Sequence, residues 1–102
     1  MDMNQMMQQA QMMQLELARA QEEIKEMTYT ATSGGGMVEV TANGSGTIDS
    51  VKINPEAVDP DDVEMLEDMV LAAVNEALRG VSEAGEKRMA AVTGGLSIPG
   101  LF

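Results

Sequence analysis

Residues 37–54, MVEVTANGSGTIDSVKIN, decide the fold of this chain. Apolar and polar side chains alternate around the central NGSG, and a period of two is typical of a β-hairpin that buries one face. We therefore predict strands over residues 37–42 and 47–53, joined by a tight turn in which Asn43 and Gly44 supply positive φ angles. The serine and glycine that follow also allow a longer loop.

The second of these strands contains a break in its alternation. Ile48 falls out of phase with Val51 and Ile53, so the three side chains would not share one face of a regular strand. A β-bulge inserts one extra residue and restores the phase. We expect that bulge near Asp49 and Ser50.

A threonine-rich segment and three glycines precede the hairpin. Residues 28–33 predict another strand, and the glycines at 34–36 predict a flexible connection. A phosphate-binding loop is the alternative for the glycines. It is disfavoured because no Lys-Ser or Lys-Thr pair follows them and no helix is expected to open there.

Residues 3–27 predict one continuous amphipathic helix, because they contain no Gly or Pro and their apolar side chains recur in steps of three and four. These positions, the heptad seam, are Met3, Met6, Ala10, Met13, Leu17, Ala20, Ile24 and Met27. Met12 and Leu15 lie off the seam and predict a second contact surface on the back of the helix.

The methionines of this helix raise the alternative of a copper site, since thioether sulfur binds Cu(I). Five of them lie within three turns, namely Met3, Met6, Met7, Met12 and Met13. Packing is favoured over copper, because the seam continues through alanine, leucine and isoleucine without sulfur.

A second helix is predicted to start at Asp59. The sequence Asp59-Pro60-Asp61-Asp62 combines a capping side chain, a proline in the first turn and carboxylates at the positive end of the helix dipole. A calcium or magnesium site is the alternative, but the glycine and the distant glutamate of an EF-hand loop are missing. Two apolar stripes give the helix a broad buried face, one through Val63, Leu66, Val70, Ala73 and Ala77, the other through Leu71, Val74, Leu78 and Val81.

The second helix contains several glycines. Gly80 and Gly85 are expected to weaken its later turns, and it should stop near Gly94 and Gly95. The predicted organisation is a single α+β domain over residues 1–95, followed by a flexible tail at residues 96–102. Its expected architecture is a helix, a three-stranded antiparallel meander and a helix, with both helices stacked on one face of the sheet and the first helix projecting beyond it.

Composition limits both the core and the chemistry. The only aromatic side chains among the 102 residues are Tyr29 and Phe102, so a thin core is expected, and a homodimer would hide the apolar surface that one subunit leaves open. The chain has no Cys and no His, which removes disulfides, thiolate metal sites and the usual general base. We predict no catalytic residues, no metal and no cofactor.

Hydropathy predicts no association with a membrane. No stretch is apolar for the width of a bilayer, and the N-terminus lacks the pattern of a signal peptide. A cytoplasmic location is expected.

Charge is distributed unevenly along the chain. The formal net charge of −11 opposes the approach of polyanions. Residues 55–78 hold eight acids and no base, whereas residues 79–102 hold three bases and two acids. Only this last quarter could face phosphate without strong local repulsion.

The chain resembles the YbaB/EbfC proteins. Residues 65–77, MLEDMVLAAVNEA, are similar to the signature of that family, and VEVTANG at 38–44 and INP at 53–55 precede them at the right distance. QAQMMQ at 9–14 and EE at 22–23 are similar to the family's first helix. The resemblance covers nearly the whole chain in order.

The resemblance implies a homodimer whose long helices project like the arms of tweezers and grip duplex DNA, with a role in nucleoid organisation or gene regulation. Members of the family commonly carry several lysines along the first helix, whereas here residues 3–15 carry no charge and only Arg19 and Lys25 follow on that helix. The predicted partners are double-stranded DNA, a second copy of the chain and, as a further option, other proteins.

Lys87 and Arg88 are the predicted phosphate contacts, with Arg79, Arg19 and Lys25 as further candidates. Their alternative role is solvation and dipole complementarity, since positive side chains are expected in the last turns of any helix. The predicted dimer interface consists of Met3, Met6, Met13, Leu17, Leu71, Val74 and Leu78. The rival function is an acidic dimeric protein-protein interaction module that docks another protein and does not bind DNA.

Overall fold

The elements follow the predicted order. A computed structural model describes residues 2–95. They form α1 (Met3–Glu26), β1 (Thr28–Ser33), β2 (Val38–Asn43), β3 (Ile48–Ile53) and α2 (Val63–Gly95), with single turns of 3-10 helix at Gly34–Gly36 and Pro55–Ala57. The predicted α+β fold is confirmed. The predicted tail at residues 96–102 lies outside the described residues.

α1 is one continuous helix of 24 residues, as predicted, and is about 36 Å long. Asp2 caps its start, because the Asp2 carboxylate accepts the N–H of Gln5 at 2.8 Å while the Gln5 side chain accepts the N–H of Asp2. Met27 ends the helix in an extended conformation and donates its N–H to the Ile24 carbonyl.

The three strands form an antiparallel sheet in the order β1-β2-β3. The predicted bulge is confirmed, since Thr41 pairs with Ser50 and Ala42 pairs with Ile48, which leaves Asp49 as the extra residue. The sheet therefore regains its alternation on both sides of the irregularity.

The predicted tight turn between β2 and β3 was wrong. Neither Asn43 nor Gly44 has a positive φ, and in this loop only Gly46 does, at +84°. The Asn43 side chain shapes a longer loop instead, because its oxygen accepts the N–H of Ser45 and its nitrogen donates to Thr47 Oγ1 and to Asp49 Oδ1, both at 2.6 Å.

The core lies between α2 and the first two strands. Its buried members are Ala31, Val38, Val40, Ala42, Ala73, Ala77 and Val81. Val38 and Val40 are the largest fully buried side chains in residues 2–95, so the core is thin, as expected from the composition.

α1 does not stack on the sheet, which corrects the prediction that both helices would. It packs mainly along the later turns of α2, where Ile24 lies against Gly85 and Ala20 is fully buried. A Cβ at Gly85 would stand 3.1 Å from Ile24 Cγ2, so the glycine is what lets the two helices approach.

The other interior glycine of α2 has a similar role. A Cβ at Gly80 would overlap the ring of Tyr29 on β1. α2 runs through both glycines without a break for 33 residues, so the expected weakening does not interrupt the helix. The two glycines serve packing at a cost in helix propensity.

α2 starts later than predicted, at Val63 rather than Asp59. Asp59 accepts the N–H of Asp61 within a turn, and Asp62 accepts the N–H of Met65 at the start of the helix. Asp62 therefore takes the capping role that the sequence pattern gave to Asp59, because either aspartate fits the pattern.

The molecule is strongly elongated. Its Cα radius of gyration is 20.1 Å, against about 13 Å for a compact chain of this length. The principal extents are 73 × 23 × 15 Å. We call α1 together with residues 79–95 of α2 the helical arm, and the sheet with the first half of α2 the body.

Candidate nucleic-acid interface

All five predicted phosphate contacts lie on the helical arm. Arg19 and Lys25 belong to α1, and Arg79, Lys87 and Arg88 belong to α2. Because α1 packs along the later turns of α2, the fold brings together cations that are far apart in the sequence. No helix within residues 2–95 is apolar over enough of its length to cross a bilayer.

An ion pair joins the two helices of the arm. Arg88 Nε donates to Glu23 Oε2 at 2.8 Å, with the Arg88 side chain 34% exposed and the Glu23 side chain 48% exposed. Hydrogen bonding to Arg88 lowers the pKa of Glu23, and Glu23 in turn raises the pKa of Arg88. Arg19 also lowers the pKa of Glu23 through its charge, which places both cations near one carboxylate. The pair is intact at neutral pH and is lost as pH falls through the lowered pKa.

Arg79 is held by two carboxylates of its own helix. Its Nε donates to Glu76 at 3.1 Å, a second guanidinium nitrogen also bonds Glu76, and a third bonds Glu83. These hydrogen bonds raise the pKa of Arg79 further above its usual range and lower that of Glu76. A phosphate would have to displace these carboxylates to reach Arg79, which has more carboxylate partners than any of the other four cations.

The cations of α1 are also paired, but less tightly. Arg19 lies 3.8 Å from Glu16 and Lys25 lies 3.2 Å from Glu22, each pair one turn apart and exposed. Exposed pairs of this kind are weak and exchange readily with other ions. Within residues 2–95, Lys87 is the one cation with no carboxylate oxygen inside 4.0 Å.

The charged part of the arm is nearly neutral. Residues 16–26 and 79–88 together hold six acids and five bases, a sum of −1, against −8 for residues 55–78. An anion would therefore meet least repulsion along this part of the arm.

The predicted interface residues differ in their surroundings. Met3 and Met6 are 76% and 58% exposed at the free end of α1, and Leu71 is 60% exposed on α2. Met13 and Leu17 are half-buried. Val74 and Leu78 are also half-buried, and they pack against the core of their own subunit.

Two features were missed by reasoning from the sequence. Lys52 lies on β3 and pairs with Glu39 on β2 at 3.8 Å, and the apolar side chains of β3 are exposed rather than buried. The ion pair between Lys52 and Glu39 could not be predicted from the sequence, because it depends on which residues of β2 and β3 lie opposite each other. The alternation showed that β3 has an apolar face, but it did not show whether a helix covers that face.

The fold and the arm define a class of small α+β proteins in which two packed helices extend from a three-stranded sheet and carry five of the chain's six basic side chains. The sequence model of the YbaB/EbfC DNA-binding family matches residues 1–96. This chain belongs to that family, which is a DNA-binding family and not a family of enzymes.

Similar proteins agree with this assignment. A nucleoid-associated protein of Thermoanaerobacter pseudethanolicus is 55% identical over 101 residues, covering 99% of this chain and 91% of the relative. One from Pelotomaculum thermopropionicum is 52% identical, covering 99% and 96%. The crystal structure of an uncharacterized protein from Helicobacter pylori has a TM-score of 0.68 at 28% identity, covering 95% of this chain and 99% of that one.

Proposed function

We propose that this protein binds duplex DNA as a homodimer, organises the nucleoid and has no catalytic activity. The observation that carries the proposal is the family match over residues 1–96, together with relatives at 55% identity that bear the name nucleoid-associated protein. The cytoplasmic nucleoid is the corresponding location.

The arm is the part of the molecule that contacts the phosphates. Lys87 has no carboxylate oxygen within 4.0 Å among residues 2–95. Arg88 and Arg19 both lie near Glu23. These side chains reach phosphate oxygens but supply no set of base-reading groups, so they position the protein without specifying a sequence. Low sequence specificity follows.

Binding should weaken as salt rises. A gel-shift series on duplex DNA from low to physiological salt is expected to show retardation that fades with a shallow slope, about two to four ions per dimer, because so few cations face the phosphates. A scrambled duplex of the same length should give the same retardation. Absence of retardation even at low salt would contradict DNA binding and favour the protein-interaction module, with exposed Met12 and Leu15 as its contact surface.

Glu23 should compete with phosphate for Arg88. The variant Glu23→Gln is expected to raise DNA affinity about twofold to fivefold, because it removes the negative charge that competes with phosphate for Arg88. Glu64→Gln removes the same charge from the body, and in the described part of the chain no cation is paired with Glu64. Filter binding of both variants separates the local effect of Glu23 on Arg88 from the effect of net charge. Equal gains in DNA affinity for the two variants would show that only net charge matters.

A further inference from the structure

α1 runs antiparallel to the later turns of α2. The ring of Tyr29, just after α1, lies against Gly80, and Glu23 is bonded to Arg88. Moving toward the start of α1 therefore corresponds to moving toward the end of α2. The first turns of α1 lie at the free end of the helical arm.

α1 extends beyond the last described turn of α2. Residues 88–95 of α2 span about 10 Å, which places Gly95 about seven residues before Glu23 on the antiparallel helix. Exposure changes at about the same level, because Met13 is half-buried whereas all of residues 2–12 are exposed. About three turns of α1 therefore continue without α2 beside them.

The apolar stripe of α1 does not stop where α2 stops. Met3, Met6 and Ala10 continue the spacing of the seam residues that α2 covers, and all three are exposed. We call these three residues the uncovered seam. A short helix with no packing partner has little stability of its own in water, so a contact along this stripe would stabilise the tip of the arm.

Residues 96–102, LSIPGLF, follow directly after the end of α2. Four of these seven residues are large and apolar, and none carries a charged side chain. We propose that this segment docks along the uncovered seam of its own chain and completes the packing of the arm at its tip.

The length and the starting point of the segment fit this contact. The segment begins where α2 stops covering α1, and Leu96 comes one helical turn after Val92, which is buried. Seven residues in an extended conformation reach about 23 Å, whereas the stretch of α1 from Met13 back to Met3 spans about 15 Å. The segment is therefore long enough to reach the whole uncovered seam.

Charge favours this segment over a second copy of the chain. Neither residues 3–15 nor residues 96–102 contain a charged side chain, so their contact removes no charge from water. A second copy would bring a net charge of −11 to the arm. A segment attached at the end of α2 is also present at a high effective concentration, on the order of millimolar for a short linker.

The contact leaves the proposed phosphate contacts untouched. Lys87 and Arg88 lie within α2, and the uncovered seam contains no cation. Docking at the tip and binding of DNA are therefore independent of each other. A seam occupied by residues 96–102 is closed to a foreign protein, which leaves Met12 and Leu15 on the back of the helix as the exposed apolar surface of α1.

Disulfide trapping in the full chain tests the proposal, since the chain contains no cysteine of its own. The variant Ala10→Cys, Ile98→Cys places one thiol on the uncovered seam and one in the segment. Its control is Met12→Cys, Ile98→Cys, because Met12 is 65% exposed and lies two residues further along α1, on the opposite side of the helix. Under the same oxidant the Ala10 pair is expected to cross-link about fivefold faster or more, because a disulfide needs Cα atoms within about 7 Å.

Isotope mixing assigns the cross-link to one chain or to two. Unlabelled and heavy-nitrogen-labelled proteins are unfolded together, refolded and oxidised, and mass spectrometry is expected to find both halves of each cross-linked peptide in the same isotope form. Hybrid peptides would place the segment on a second copy and would overturn the proposal. Equal rates for the Ala10 and Met12 pairs would also overturn it, because the segment would then prefer neither side of α1.

Hydrogen exchange provides a second readout without cysteines. Ile98→Asp puts a charge against the uncovered seam and is expected to speed exchange of the backbone amides of residues 6–12 about tenfold. Ser97→Asp is the matched control, since it adds the same charge without removing an apolar side chain, and it should have a smaller effect. Protected amides in β2 show that both variants are folded. Wild-type and Ile98→Asp proteins that exchange alike over residues 6–12 would overturn the proposal.

Discussion

The double variant Lys87→Glu, Arg88→Glu is expected to abolish the retardation of duplex DNA, with an affinity loss of about a thousandfold at low salt. The substitutions replace two positive charges with two negative charges in each subunit, where phosphates would approach. They also remove Lys87, which has no carboxylate partner within residues 2–95, and Arg88, which is paired with Glu23. Fluorescence anisotropy with a labelled duplex measures the loss.

Single variants provide the control. Lys87→Glu leaves the Arg88–Glu23 pair intact and should itself weaken binding about tenfold or more, because it reverses one charge on the surface proposed to face phosphate. Lys52→Glu changes the net charge by the same amount on the sheet, away from the arm, and should have a small effect. Equal losses for Lys87→Glu and Lys52→Glu would show that the arm is not the contact surface.

Gly44→Ala is expected to destabilise the subunit by roughly 3 kcal/mol or more, the upper range for forcing an extra carbon into a packed site. A Cβ at Gly44 would overlap the Ile24 carbonyl oxygen, and the Gly44 N–H donates to the Met27 carbonyl at 2.8 Å. The obstacle is backbone on both sides, so no rotamer change relieves it. The end of α1 would have to separate from the β2–β3 loop.

Gly94→Ala is the matched substitution for this comparison. A Cβ at Gly94 meets nothing within 4 Å, so alanine should be neutral or stabilise by up to about 1 kcal/mol through helix propensity. Urea unfolding followed by circular dichroism measures both variants. A Gly44→Ala protein as stable as the wild type would contradict the close contact between α1 and the loop.

The order of elements could be predicted from the sequence because local patterns carry it. The heptad seam marks α1, the alternation of Val38 and Val40 marks β2, and the displaced Ile48 marks the bulge. These signals reflect periods of 3.6 and 2 residues, which depend on the backbone alone. Periodicity shows which face is apolar but not what covers it, so the position of α1 and the open side of β3 could not be derived.

The candidate interface was predictable in part. Bonds from Arg79 to Glu76 and Glu83 connect residues three and four apart on a helix, a spacing visible in the sequence, yet Arg79 was predicted as a phosphate contact on charge alone. The pair of Arg88 with Glu23 joins residues 65 positions apart. It arises from the packing of α1 on α2, which no local pattern reveals.

One unbroken helix belongs to both the body and the arm. α2 carries Ala73 and Ala77 against the sheet and continues, without a proline, to Arg88 and beyond. Sharp kinks in helices have identifiable causes such as proline, and α2 contains no proline. Rotation of the arm relative to the sheet would therefore disturb the packing of Ala73 and Ala77 on the strands. The direction in which the arm leaves the sheet is therefore set by the packing of α2 in the core.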